Sequence, residues 1–217
     1  MCSSDLAHAS PASFSDSVYL WEPTEPWNYA PTEFWLRTSF LFPSASTIAA
    51  VGFQGEAAYQ PTTGEFNWVL ELHNDSNPNA GPEYANLAWN VMTDYPVVNG
   101  AVGQNPFLRL RIMGGPDAAI QTVLVPGPKL ALDHWYEFLA HVKLDPVNGI
   151  VEWFLDGATV YSNLSIPTLY TRPAGFVSPS YTSLTLPNYR LHAPWNSTVY
   201  VGPLAVGPTQ SSVANAF

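Results

Sequence analysis

A histidine, a tyrosine and three arginines are the side chains of this sequence best suited to moving a proton or holding an anion. His73 ends the run 66–73, in which Trp68, Leu70 and Leu72 alternate with Asn67, Val69, Glu71 and His73. Such alternation makes one face of a strand apolar and leaves Glu71 and an imidazole on the other. An imidazole with a pKa near about 6.5 accepts a proton around neutral pH; a surface histidine beside a polar loop would show the same pattern. Tyr189, in Asn188-Tyr189-Arg190, offers a phenol. With a pKa of about 10 it can donate a proton, or accept one if a cation lowers that value. A core or edge tyrosine is the plainer account in a chain with eleven of them. Arg109 and Arg111 lie on one side of the alternating run 107–113, about 7 Å apart along it. Arg37 shares a side with Trp35 and Ser39. A guanidinium presents a planar fork of donors that matches a carboxylate. The chain has only seven Lys and Arg in all, so three arginines on strands lining one groove would concentrate its positive charge; a solvated convex face would use them equally well.

Strands must position these groups. The aromatic-rich run 34–42, closed by Pro43, reads as buried strand, 47–53 is a second, short apolar run, and 84–92 suits another strand. In 107–113, Leu108, Leu110 and Ile112 oppose Phe107, Arg109, Arg111 and Met113. In 135–144, Tyr136, Phe138, Ala140, Val142 and Leu144 oppose Trp135, Glu137, Leu139, His141 and Lys143, the last two on a face expected to be solvated. Asp145-Pro146-Val147-Asn148-Gly149 then turns the chain into 150–155, and Asp156-Gly157 turns it again, which makes a three-strand meander. The final strands are expected at 189–192 and 198–206, and any helix is limited to a turn or two near 117–120. The stretch 74–82 contains turn formers and one alanine, so it reads as a surface loop. Its Asn74-Asp75-Ser76-Asn77 carries oxygen ligands of the kind calcium takes, although an Asx-rich turn explains the same residues and no cofactor is expected.

Composition limits the function classes. Of 217 residues, 47% are hydrophobic and 11% charged, against roughly 25% charged in an average domain. Twenty-one prolines and fourteen glycines leave little room for long helices. Some ten short strands separated by turns point to an all-β fold of two packed antiparallel sheets. The net charge of −10 argues against a nucleic-acid partner, which requires a basic footprint. No apolar run approaches the roughly 20 residues that cross a bilayer, so no membrane partner is expected. Cys2 is the single cysteine, which excludes an internal disulfide and a cysteine-based zinc site. Met1-Cys2-Ser3-Ser4-Asp5-Leu6 reads like a translated sequencing-adapter end, so 1–17 is expected to be a disordered or artefactual segment. One domain over 18–210 and a tail over 211–217 complete the organisation. Low charge and abundant Thr, Ser, Asn and aromatic residues suit a secreted bacterial protein that works as a monomer.

Several segments resemble the heparin-lyase-I-like polysaccharide lyases. They are His134-Trp135-Tyr136-Glu137-Phe138-Leu139-Ala140-His141-Val142-Lys143 and the following Asn148-Gly149-Ile150-Val151-Glu152-Trp153-Phe154-Leu155-Asp156-Gly157. Trp35-Leu36-Arg37-Thr38-Ser39-Phe40-Leu41-Phe42-Pro43, Trp68-Val69-Leu70-Glu71-Leu72-His73, Asn188-Tyr189-Arg190 and the 199–207 strand extend the likeness. The resemblance implies a concanavalin A-like β jelly roll whose concave sheet binds a uronic-acid polysaccharide and cleaves it by β-elimination. It further implies that His73 and Tyr189 form the proton-transfer pair and that Arg37 contacts the substrate carboxylate. Glu71, Asn74, Arg109 and Arg111 complete the expected substrate contacts. Glu71 departs from the family pattern, which has Gln two residues before the histidine; Asn67 or Asn74 could supply the amide instead. A glycoside hydrolase of this fold would need two carboxylates across the bond, and its Glu-x-Asp-x-x-Glu strand is absent. A non-catalytic carbohydrate-binding module is the alternative, because aromatic side chains on a concave sheet stack on sugars whether or not chemistry follows.

Overall fold

The structure, a computed structural model, describes residues 2–3, 15–16, 32–43, 66–73, 85–94, 104–116, 121–171, 183–185, 189–191 and 199–214. Its elements begin with β1 (Cys2–Ser3), β2 (Ser15–Asp16), β3 (Glu33–Leu41), β4 (Phe66–His73), β5 (Ala85–Asp94), β6 (Gln104–Pro116) and β7 (Gln121–Lys129). The meander follows as β8 (Trp135–Lys143), β9 (Gly149–Leu155) and β10 (Ala158–Ile166). The chain continues through β11 (Tyr170–Thr171), β12 (Ser183–Thr185), β13 (Tyr189–Leu191), β14 (Tyr200–Val201) and β15 (Ala205–Gly207) to one short helix, α1 (Gln210–Ala214).

These strands make a jelly-roll sandwich of two sheets, as expected. One has the order β1-β14-β3-β8-β9-β10, with β15 also on β3; the other has β11-β6-β5-β4-β13-β2, with β12 on β4 and β7 on β6. All described pairings are antiparallel except the two-residue pairing of β11 with β6. Strict alternation on β3 buries Phe34, Leu36, Thr38 and Phe40 and turns Trp35, Arg37 and Ser39 outward. Large aromatics fill the space between the sheets. Trp89 of β5 meets Phe138 of β8 edge-on at 5.1 Å and Trp153 of β9 at 6.5 Å, which ties the sheets together.

The structure departs from the sequence reading at β7 and at the last strand. β7 was not among the expected strands; its Pro126 and Pro128 are exposed on a strand paired with β6 alone, the edge position at which a strand tolerates proline. The expected strand 198–206 is two strands, since Gly202-Pro203-Leu204 interrupts it after Gly202 donates its N–H to Ser39 O. Residues 211–214, expected in a tail, belong to α1, and Val213 is fully buried there. Within the 1–17 segment, β1 pairs with β14 and β2 with β13. The expected elements at 47–53 and 117–120 and the loop at 74–82 lie outside the described residues.

Candidate functional site

The outward face of the β4-containing sheet gathers most of the residues singled out above. Leu87 and Trp89 of β5 and Leu108, Leu110 and Ile112 of β6 belong to the core, so Ala88, Arg109 and Arg111 occupy the opposite face. Residues paired across a sheet share a face, and the register therefore defines rows. One row runs Thr185–Glu71–Ala88–Arg111–Leu124. A second, two β5 residues away, runs through positions Tyr189, Trp68, Asn90, Arg109 and Pro126. His73, past a second register shift that follows Leu72, pairs with Ser183 and Ala85.

The first row is recessed. Glu71 is 2% exposed and Ala88 is fully buried although both point away from the core. Arg109 and Arg111 also have their Nε atoms buried, whereas Leu124 at the β7 end is 47% exposed. Exposure thus falls across this face from the β7 edge toward β4. Glu71 was expected to contact substrate, and its carboxylate lies beneath the surface of this face.

An irregularity in β4 decides which residues share this face. Register shifts between Trp68 and Leu70, where Trp68 pairs with Asn90 and Leu70 with the adjacent Trp89. Val69 is the extra residue, and it is buried in the core beside Leu70. A β-bulge of this kind inverts the alternation on one side of itself. Position 68, expected in the core, consequently joins the face of Glu71, and its partner position 189 joins it too. A regular strand would have put position 189 on the core side. Nothing in the sequence marks the bulge. Positions 73 and 189 stand on either side of the Glu71–Arg111 row, roughly 7 Å from it in each direction and roughly 15 Å from each other along the strands.

Arg37 is elsewhere. It lies on the outward face of the other sheet, because the alternation of β3 directs it away from the core there. Its Nη2 donates to Glu137 Oε2 at 2.9 Å and its Nη1 to the carbonyl of Ala214 at 2.6 Å, so it fastens the end of α1 to the sheet. Two sheet layers separate it from positions 73 and 189, and the guanidiniums on their face are Arg109 and Arg111. His141, expected to be solvated, is instead stacked on Trp35 at 4.5 Å, with Glu152 at 2.8 Å from Nδ1 and Glu33 at 3.1 Å from Nε2. Asn74 lies outside the described residues.

No protein-family model matches the chain. No curated protein matches it either. Among solved structures it is similar to the endo-β-1,4-glucuronan lyase of the fungus Trichoderma reesei, with a TM-score of 0.59 and 13% identity over 97% of this chain and 81% of that one. An alginate lyase in complex with alginate trisaccharide matches with a TM-score of 0.47 and 11% identity, over 88% of this chain and 73% of that one. Sheep galectin-11 matches at 0.37 and 6% identity, over 91% and 99%. The neighbours of this chain therefore include both polysaccharide lyases and lectins, and the likeness to the glucuronan lyase establishes the jelly-roll fold.

Proposed function

We propose that this protein is a secreted polysaccharide lyase that cleaves a uronic-acid-containing polymer by β-elimination on the groove of the β4-containing sheet. One observation supports the reading above the rest: Arg109, Arg111 and the buried Glu71 share the outward face of the sheet to which strand positions 73 and 189 belong. The heparin-lyase-I-like segments and the fold shared with a glucuronan lyase support it.

The chemistry asks for three things. The C5 proton of a uronate is weakly acidic while its carboxylate is charged, so that charge must be neutralised; a base must take the proton, and an acid must protonate the departing oxygen. As the C5–H bond breaks, its electron pair forms the C4–C5 double bond, the C4–O4 bond breaks, and O4 leaves with a proton. In this proposal Arg111 and Arg109 hold the carboxylate, the His73 imidazole takes the C5 proton and the Tyr189 phenol supplies the proton to O4. A ring bound over the Glu71–Arg111 row would have base and acid on opposite sides. Arg37 has no part in this scheme, which revises the expectation drawn from the resemblance.

Incubation with glucuronan, alginate and heparin-like polymers, followed by ultraviolet absorbance of the unsaturated product, tests the reading. The expected result is absorbance growth with at least one polymer that disappears in His73→Ala while the far-ultraviolet circular dichroism is retained. Undiminished turnover in that variant would remove His73 from the mechanism. The spacing of positions 73 and 189 also suits a second reading, a carbohydrate-binding module, in which those positions serve neighbouring sugars without chemistry. Polymer binding with no new absorbance would establish that alternative.

A further inference from the structure

The sheet opposite the groove carries a hollow of its own. It encloses about 320 Å³ and is lined chiefly by Arg37, Ser39, Trp135, Glu137, Asp156 and Pro203, near the lower end of the range of about 300–1,000 Å³ typical of small-molecule sites. Trp135 begins β8 and is 39% exposed, whereas a tryptophan with no ligand usually buries more of its ring.

The polar groups around that ring are held in place by the fold. Asp156 sits at the β9–β10 turn with a φ of 49°, a left-handed conformation that aspartate tolerates better than most residues, and Gly157 follows at 75°. The turn is tied to β8: Asp156 N–H donates to Glu137 O at 2.9 Å, and Asp156 Oδ1 accepts from Glu137 N–H at 2.7 Å. Its other oxygen lies 3.1 Å from His134 Nε2. Arg37, fixed by α1 and Glu137, forms the far wall. An aromatic plate beside carboxylates whose orientation is set in advance needs little reordering to bind.

We propose that this hollow is a second carbohydrate site, for a neutral pyranose. The apolar face of such a ring stacks on Trp135, and its hydroxyls donate to the carboxyl oxygens of Glu137 and Asp156. Charge selects against a uronate. The lining places two carboxylates against one guanidinium that is already bonded to one of them. The inference stands independently of the lyase reading, since no residue of the hollow lies on the β4-containing sheet.

Nuclear magnetic resonance of the indole N–H groups tests it in the whole chain, with the Trp135 signal identified by its absence from Trp135→Ala. Cello-, xylo- and manno-oligosaccharides at millimolar concentration serve as neutral probes, with glucuronan oligosaccharides as the acidic probe and tetramethylammonium as a cationic one. At least one neutral probe is expected to shift the Trp135 signal saturably. By isothermal titration calorimetry, which needs no signal from residue 135, Trp135→Ala should weaken that probe's binding at least about tenfold, equivalent to about 1.4 kcal/mol, while Trp135→Phe retains it within about threefold. Arg111→Ala should leave it unchanged, and Trp135→Ala should leave any uronan cleavage unchanged. The proposal is overturned if no neutral probe shifts the Trp135 signal, if Trp135→Ala binds that neutral probe as well as the parent, or if the acidic or cationic probe shifts the Trp135 signal at a lower concentration than any neutral one.

Discussion

The three arginines of the sequence analysis are chemically alike and differ in what surrounds them. Arg37 is bonded to a carboxylate and a helix-end carbonyl on the outer surface of one sheet; Arg109 and Arg111 are partly buried along a recessed face of the other. Different consequences follow for alanine at each position. Arg111→Ala is expected to lower kcat/KM for a uronan by about 10²-fold or more, because a preorganised charge contact to the developing carboxylate-stabilised anion is worth about 3 kcal/mol. Arg37→Ala is expected to leave turnover intact and to cost about 1 kcal/mol of stability, a value kept small because Glu137 is half exposed and its ion pair is screened. Steady-state kinetics and urea unfolding of the two variants check both statements. Equal loss of turnover in both would contradict the assignment of Arg37 to α1.

Turns and edges set the geometry of the elements. In the β8–β9 turn, Asp145 Oδ1 accepts the backbone N–H of Asn148 at 2.7 Å and of Val147 at 2.8 Å. Those two bonds, Asn148 first, hold the Asp145 carboxyl below the usual aspartate range, with Lys143 adding a smaller attraction against a small opposing effect of burial. A carboxylate with a depressed folded-state pKa contributes stability that is fully present above the unfolded value of about 3.9 and is lost as pH falls through the folded value. The stability advantage of the parent over Asp145→Ala should accordingly be constant near neutrality and shrink below about pH 4. Thermal unfolding across that range measures it, and a gap that widened in acid would contradict the turn's role. At the β7 edge, Gly127 lets the strand approach closely: a Cβ there would lie 2.4 Å from the Trp153 ring and 2.7 Å from Leu108 O. Gly127→Ala should destabilise the protein by about 1–3 kcal/mol, since the Leu108 carbonyl is backbone and Trp153 is packed in the core. A midpoint equal to the parent's in urea would show that β7 can move away at no cost.

For the molecule as a whole, the two sheets act as one body through Trp89, Phe138 and Trp153. Trp89→Ala removes the contact between them at its centre and should cost about 3–5 kcal/mol, read as a large drop in melting temperature. Unfolding in two separate steps would instead mean that the sheets are held together elsewhere. The all-β sandwich, the meander through Asn148-Gly149 and Asp156-Gly157, and the core faces of β3, β6 and β8 were legible in the sequence because period-two alternation and turn residues are local signals. The arginine pair on one face of β6 was legible for the same reason. Membership of a sheet is not local. Alternation says that Arg37 points away from a core, but only strand order says which side of the sandwich that is. The bulge at Val69 is likewise settled by pairing, because an extra residue is defined only against the partner strand that lacks it, and it is pairing that brings positions 68 and 189 to the face of Glu71. The sequence by itself determined the architecture and the kinds of groups available for chemistry. The tertiary structure decided which of them share a surface, since that depends on register and sheet order between segments more than a hundred residues apart.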